Sequence, residues 1–255
     1  MNHNELKKLW HEDEKIEIIG WDFSHIKDRK KSEALPWDYK AIIDDYLSDD
    51  MTLLDLGTGG GEFLLTLDHP YEKTAVTEAY GPNYEICKSR LQPLGIMVKY
   101  GDYTCPLPFE SRSMDMIIDR HESFNLKEVH RVLKAGGLFI TQQVGKRNNI
   151  EISRFVLDAP HLEFETENEF DNVLQQAKTL GFDAIKSLQA QPVSKYYDVG
   201  AFVYLAKIIE WEFPDFSVEK CFDRLLELNA LVEKKGYFES VEDRYIMVLR
   251  KMGNI

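Results

Sequence analysis

The stretch LLDLGTGGG at residues 53–61 holds the most suggestive spacing in the chain. An apolar run that ends in glycines and opens a helix lets a ligand approach the backbone and offers it unpaired N–H groups. Dinucleotide sites use a similar loop, GxGxxG, whose sixth position must be small for close helix–strand packing. Counted from Gly57, that position is Glu62. A carboxylate there is a poor neighbour for a pyrophosphate, but it is compatible with a cofactor that carries an amino group and a sulfonium. A second candidate is Asp119-Arg120-His121-Glu122-Ser123. An imidazole with an ordinary pKa of about 6.5 suits proton removal near neutrality, which makes His121 a candidate base beside Asp119. The alternative is that His121 caps the helix near Asn125 or faces solvent.

Positioning these residues requires strands that end beside them. Apolar runs predict strands at residues 51–56, 74–78, 96–100, 114–119, 138–144, 182–188 and 245–250. Between them, helical spacing predicts a helix over 36–47, with Pro36 in its first turn and Ile42, Ile43, Tyr46 and Leu47 on one face. A helix carrying Phe63, Leu64, Leu65 and Leu67 follows the glycines, and Pro82 opens another through Leu91. Asn125 with Glu128 starts a helix that ends at Gly136, and Thr166 with Glu169 forms a capping box before Phe170, Val173 and Ala177. Repeated strand–helix units predict an α/β class, a doubly wound seven-stranded sheet with helices on both faces.

The alternation breaks after residue 188, and residues 190–236 read as two helical segments inserted before the last strand. This insertion and residues 1–35, where Trp10, Trp21 and Phe23 sit among charged residues, are expected to form a helical cap on a domain spanning 36–255. Tyr196, Tyr197 and Trp211 in the insertion are either an aromatic wall for substrate or ordinary packing. Gln142 and Gln143 alternate along a strand, so one is expected on the pocket side, with Gln142 the candidate, and the other in packing.

The chain has 255 residues, 44% of them hydrophobic and 12% aromatic, enough for a sizeable core. Lysine and arginine number 31 against 44 acids, a net charge of −13. Such a surface repels a phosphate backbone, so a small molecule is expected as substrate and nucleic acid is not. Cys87, Cys105 and Cys221 form no CxxC pair, which argues against structural zinc and a disulfide framework, and no metal is expected. The first twenty residues lack the apolar run of a signal peptide, and residues 201–209 are too short to span a bilayer. A cytoplasmic protein without a membrane partner is expected, as monomer or homodimer.

Five ordered pieces, LLDLGTGGGEF, Glu78 at a strand end, Gly101-Asp102, MDMIID and RVLKAGGLFI, resemble the class I S-adenosylmethionine-dependent methyltransferases, in particular methyltransferase-domain proteins of type 11, over about residues 40–145. The resemblance implies a Rossmann-like methyltransferase fold with S-adenosylmethionine as cofactor. It also implies roles. Gly57, Thr58, Gly59 and Gly61 pass beneath the methionine and ribose, with Asp55 supporting the loop and the amino group. Glu78 accepts both ribose hydroxyls. Asp102 accepts from the adenine amino group, Tyr103 supplies an adjacent backbone amide, and Ala79 and Tyr80 lie against the adenine. Asp119 lies near the transferred methyl. The segments WDFSH, DRHE, TQQVG and WEFPDFSVE resemble a bacterial subset of such proteins. Ribosomal RNA guanine methyltransferases share the DLGTGGG and DR stretches but carry an N-terminal zinc module of cysteines that this chain lacks. The expected activity is methyl transfer to a small-molecule O, N or C nucleophile. The alternatives are RNA or protein methylation, or cofactor binding without turnover.

Overall fold

The computed structural model describes residues 1–18, 23–158 and 169–253. In chain order its elements are α1 (His3–Glu14), β1 (Lys30–Ser32), α2 (Tyr39–Asp44), β2 (Leu53–Leu56), β3 (Thr74–Glu78), α3 (Gly81–Leu91), β4 (Met97–Tyr100), β5 (Met114–Arg120) and α4 (Leu126–Val132). There follow β6 (Leu133–Val144), α5 (Ile150–Leu157), α6 (Phe170–Leu180), β7 (Phe182–Ala190), β8 (Val193–Tyr196), α7 (Val199–Ile208), α8 (Val218–Lys235), β9 (Phe238–Val241) and β10 (Arg244–Lys251). They fall into two compact units. The first comprises Met1–Leu35, Lys146–Glu165 and Gln191–Asp243, and the second comprises Pro36–Gly145, Thr166–Ala190 and Arg244–Ile255.

The second unit is the expected α/β sheet, seven strands in the order β4-β3-β2-β5-β6-β10-β7. The pairs from β4 through β6 are parallel, and β10 runs antiparallel to both β6 and β7. All four residues of β2 are buried, as a central parallel strand requires. Alternate residues feed opposite faces: Leu54, Ile117 and Phe139 pack on one side, and Leu53, Val76, Met116 and Ile140 on the other. From β2 the chain winds outward through β3 and β4, then returns to build β5 and β6 on the other side. The crevice at the carboxyl ends of β2 and β5 is therefore a topological switch point, where open α/β sheets bind ligands.

Several boundaries differ from the sequence expectation. The helix after the glycines is only a 3-10 turn, Leu64–Leu67, closed by Asp68 in a left-handed conformation. Leu64 and Leu67 are its buried residues, and their i, i+3 spacing is eclipsed in a 3-10 turn. No full helix dipole stands behind the loop, so its backbone donors come from turns. The helix expected to reach Gly136 ends at Val132. Leu133 already pairs with Met114, and a register shift lies between Met114 and Met116. Asn125 caps α4, but Glu128 closes no box there: its carboxylate accepts from the Leu107 N–H and from Arg131. Thr166 and Trp21 lie outside the described residues.

The first unit holds α1, α5, α7 and α8 with a three-stranded antiparallel sheet, β1-β8-β9. Helix α7 is buried from Val199 to Ala206, so its apolar residues run all round it rather than along a stripe. Phe202, Phe213, Phe216 and Phe238 pack with Trp10 in the same core cluster. The buried Glu212 carboxylate accepts from the side-chain amides of Asn148 and Asn149, each at 2.7 Å. Among the described residues, no helix is long and apolar enough to cross a membrane.

Candidate active site

The site grows from the turn that follows β2. Gly57 has φ +59°, and a Cβ there would run into the Cβ and Cγ of Glu122, so only glycine fits. Backbone bonds then fold the loop onto β3: the Thr58 N–H donates to the Thr77 carbonyl at 3.1 Å, and the Gly61 N–H to the Thr58 carbonyl at 3.1 Å. The buried Cys87 thiol in α3 donates to the Gly59 carbonyl at 2.7 Å from below.

Glu78, at the end of β3, is the organiser of this loop. Its Oε2 accepts from the Gly59 N–H at 2.9 Å, and its Oε1 from the N–H groups of Ala79 at 2.9 Å and Tyr80 at 2.8 Å. An ionised carboxylate offers about four lone-pair positions, so it retains capacity for a ligand hydroxyl.

Around this loop the structure gathers carboxylates. Asp55 is buried, and that burial pushes its pKa up to about 7, with the charge of Glu78 adding to it while Thr58 and Arg120 oppose it. Asp119, fully buried at the end of β5, is held well above the carboxylate range by burial, then by the charge of Glu122. Its Oδ1 accepts from the Gln143 amide at 2.6 Å, while its buried Oδ2 has no hydrogen-bond partner among the described residues. Glu122 is also raised, first by burial and then by Glu78. A shallow cleft open to solvent is lined by Gly57, Gly101, Asp102, Tyr103, Glu122 and Phe124 among others. Packing like charges this closely is unfavourable unless some stay protonated or a cation joins them. A group bearing an ammonium and a sulfonium meets that requirement, and a pyrophosphate does the opposite.

The expected cofactor residues mostly converge. Asp55, Gly57, Thr58, Gly59, Gly61, Glu78 and Asp119 surround the loop, and Asp102 and Tyr103 line the cleft. The Asp102 carboxylate is occupied locally, accepting from the N–H of Thr104 at 2.8 Å and its hydroxyl at 2.6 Å, which lowers its pKa. Ala79 contributes its N–H to Glu78, whereas the ring of Tyr80 is 64% exposed. His121 sits just past β5 in a left-handed conformation, φ +67°. Its N–H donates to the Gln142 carbonyl at 2.9 Å, and its Nε2 lies 3.3 Å from the Gln142 amide nitrogen.

Three placements go beyond what the sequence alone decided. Both glutamines of β6 bond residues at or just past the end of β5. Gln143 donates to Asp119, to the Glu122 carbonyl and to Thr141, and Gln142 meets His121 and Trp37. Glu122 enters the site across a sequence gap from Gly57 that no local pattern reveals. Gln143 had a signal: it lies two residues past Thr141, the register partner of Asp119, and so shares its face. In the first unit, Tyr196 is 1% exposed and stacked on Phe238 at 5.2 Å, so its ring is core and no aromatic wall. Tyr197 and Trp211 are 41% and 58% exposed.

Residues 54–141 match the model of a family described as a methyltransferase domain. No curated protein matches the chain. Among solved structures, the YcgJ protein from Bacillus subtilis is similar over 85% of this chain and 99% of its own, at 18% identity and a TM-score of 0.55. A functionally unknown protein from Deinococcus radiodurans R1 is similar over 88% of this chain and 91% of its own, at 11% identity and TM-score 0.57. A SAM-dependent methyltransferase from Methanosarcina mazei is similar over 87% of this chain and all of its own (100%), at 14% identity and TM-score 0.50. At these identities the likeness is one of fold.

Proposed function

We propose that the chain, whose residues 54–141 match a methyltransferase-domain family model, is a class I S-adenosylmethionine-dependent methyltransferase that methylates a small-molecule nucleophile at the carboxyl end of β5. S-adenosylmethionine is the cofactor, and it supplies an electrophilic methyl on a sulfonium. The residues present fit it. Glu78 would take the ribose hydroxyls with its remaining acceptor capacity, Asp55 would support the amino group, and the glycines leave the room a side chain would fill. Asp119 carries a buried oxygen that has no hydrogen-bond partner among the described residues, suited to a positive centre nearby. The protein's further task is alignment, which supplies several kcal/mol without any acid to help the leaving group.

The observation that carries the substrate reading is the sign of the charge. Asp102 and Glu122 line the cleft, Glu78 braces its loop, and the whole chain carries −13. A polyphosphate substrate is repelled both at a distance and on arrival. His121, just past the end of β5, is proposed to meet the methyl acceptor. A thermal-shift screen of a metabolite library in the presence of adenosylhomocysteine tests this. The expected result is a hit among small molecules and no shift with short RNA duplexes or hairpins. Saturable RNA binding at physiological salt, with no metabolite hit, would refute it.

The pKa of Asp55 gives a pH prediction. Below about 7 the buried carboxyl is protonated and neutral, and above it the carboxylate can pair with the cofactor's ammonium. Adenosylhomocysteine affinity is therefore expected to rise between pH 6 and pH 8, by about tenfold if one proton is linked. Stability without ligand runs the other way. A raised carboxyl pKa gives stability that is complete below the unfolded value of about 3.9 and lost as pH rises through 7. Asp55→Asn should thus abolish the pH dependence of binding and gain stability relative to wild type as pH rises from 4 to 8. Calorimetry and melting curves at both ends check the two signs, and an affinity that falls with pH in wild type contradicts the assignment.

A further inference from the structure

We infer that Arg120 and Asp55 form a paired subsite for an α-amino acid group, Arg120 taking its carboxylate and Asp55 its ammonium. The inference deepens the proposed function and rests on its placing a cofactor amino group at Asp55. The same chemistry is carried by the methionine end of the cofactor and by a free amino acid.

Strand register puts the two side chains on one face of the sheet. In the parallel pair of β2 and β5, Asp55 is the partner of Ile118, so Arg120, two residues on, projects from the same side as Asp55. Asp119, between Ile118 and Arg120, projects from the other. The shared side is the one on which Leu53, Met116 and Ile118 are packed, with half-buried Phe63 against them. The last paired position of β2 is Leu56 with Asp119. Arg120 lies one residue beyond it, at the edge of the switch-point crevice.

The guanidinium is mounted on a ring rather than tied to an acid. Its central carbon stands 4.4 Å from the centroid of Phe63, and that ring lies 5.2 Å from the ring of buried Tyr39. Attraction to the face of a ring leaves the in-plane N–H donors of the guanidinium available. Among the described residues no hydrogen bond or ion pair takes them up, although Arg120 is close enough to Asp55 to favour the charged form of that carboxyl. A ligand thus meets a permanent cation and a carboxylate side by side. A carboxylate group matches the arginine fork in two parallel bonds. A ligand carrying only that carboxylate meets Asp55 as a like charge, and one carrying only an ammonium meets Arg120. An α-amino acid group satisfies both, since its two charges sit on one carbon.

The test is calorimetry at pH 8 on the full chain with adenosylhomocysteine and with its decarboxylated analogue, which keeps the ammonium. Wild type should bind adenosylhomocysteine roughly 10- to 100-fold more tightly than the analogue, the effect of a charge-assisted hydrogen-bonded pair. Arg120→Met should close that gap by weakening adenosylhomocysteine alone, and Arg120→Lys should close it in part. Arg120 is exposed, so both variants should melt with wild type when no ligand is present. A second arm titrates the common amino acids into protein saturated with adenosylhomocysteine. If wild type shows no gap in the first arm, amino-acid binding that Arg120→Met abolishes assigns the subsite to the acceptor. No gap in the first arm and no Arg120-dependent binding in the second overturns the inference, as does a gap that Arg120→Met preserves. Those results leave the proposed function standing, whereas a wild type that does not bind adenosylhomocysteine refutes both.

Discussion

Gly57→Val is expected to weaken adenosylhomocysteine binding by roughly 100-fold or more, since a β-branched residue at positive φ and an overpacked contact each cost on the order of 1–3 kcal/mol. The overpacking is specific. The added carbon meets the near part of the Glu122 side chain, which cannot swing away as its flexible end can. The two causes can be separated. In the double variant Gly57→Ala with Glu122→Ala the contact is gone but φ +59° remains, so binding should recover only in part. Calorimetry with adenosylhomocysteine reads all three proteins. Undiminished affinity in Gly57→Val would mean that the ligand does not approach this turn.

Glu78→Ala should reduce cofactor affinity by roughly 10- to 100-fold, the effect of removing a charged acceptor worth about 1–3 kcal/mol. It should also lower the melting temperature, because the N–H groups of Gly59, Ala79 and Tyr80 lose their common acceptor. Glu78→Gln keeps one acceptor oxygen and should fall between the two proteins in both measurements. If the melting temperature drops while affinity is unchanged, Glu78 is a brace for the loop and no ligand to the ribose. A strand-end position alone suggests a residue whose loss the fold ignores. The three backbone bonds show why it does not.

The parts legible in the sequence were those written in local patterns. Buried parallel strands are continuous apolar runs, so β2, β3 and β5 could be located to within two residues. Glycines at Gly57, Gly59 and Gly61 mark backbone with positive φ, and Glu78 stands where a strand must stop. What escaped was set by contacts distant in sequence or by elements too short to have a period. Strands β1, β8 and β9 are three to four residues long and acquire their identity only by pairing with one another. The helix after the glycines shrank to a 3-10 turn because burial at Leu64 and Leu67 was satisfied by four residues. Tyr196 reads equally as a substrate wall or as packing, and only the pairing of β8, which turns alternate residues inward, decides that it joins the core. The pairing of Glu122 with Gly57, and of Gln142 with Trp37, depends on how β5 and β6 end side by side, which no single stretch encodes.

The central claim is a glycine loop ringed by carboxylates that selects a cationic cofactor over a pyrophosphate. A pair of calorimetric titrations on the same preparation at pH 8, one with adenosylhomocysteine and one with NAD, tests it most directly. The account predicts saturable micromolar binding of adenosylhomocysteine and no heat from NAD. Tight binding of NAD with no response to adenosylhomocysteine would contradict it.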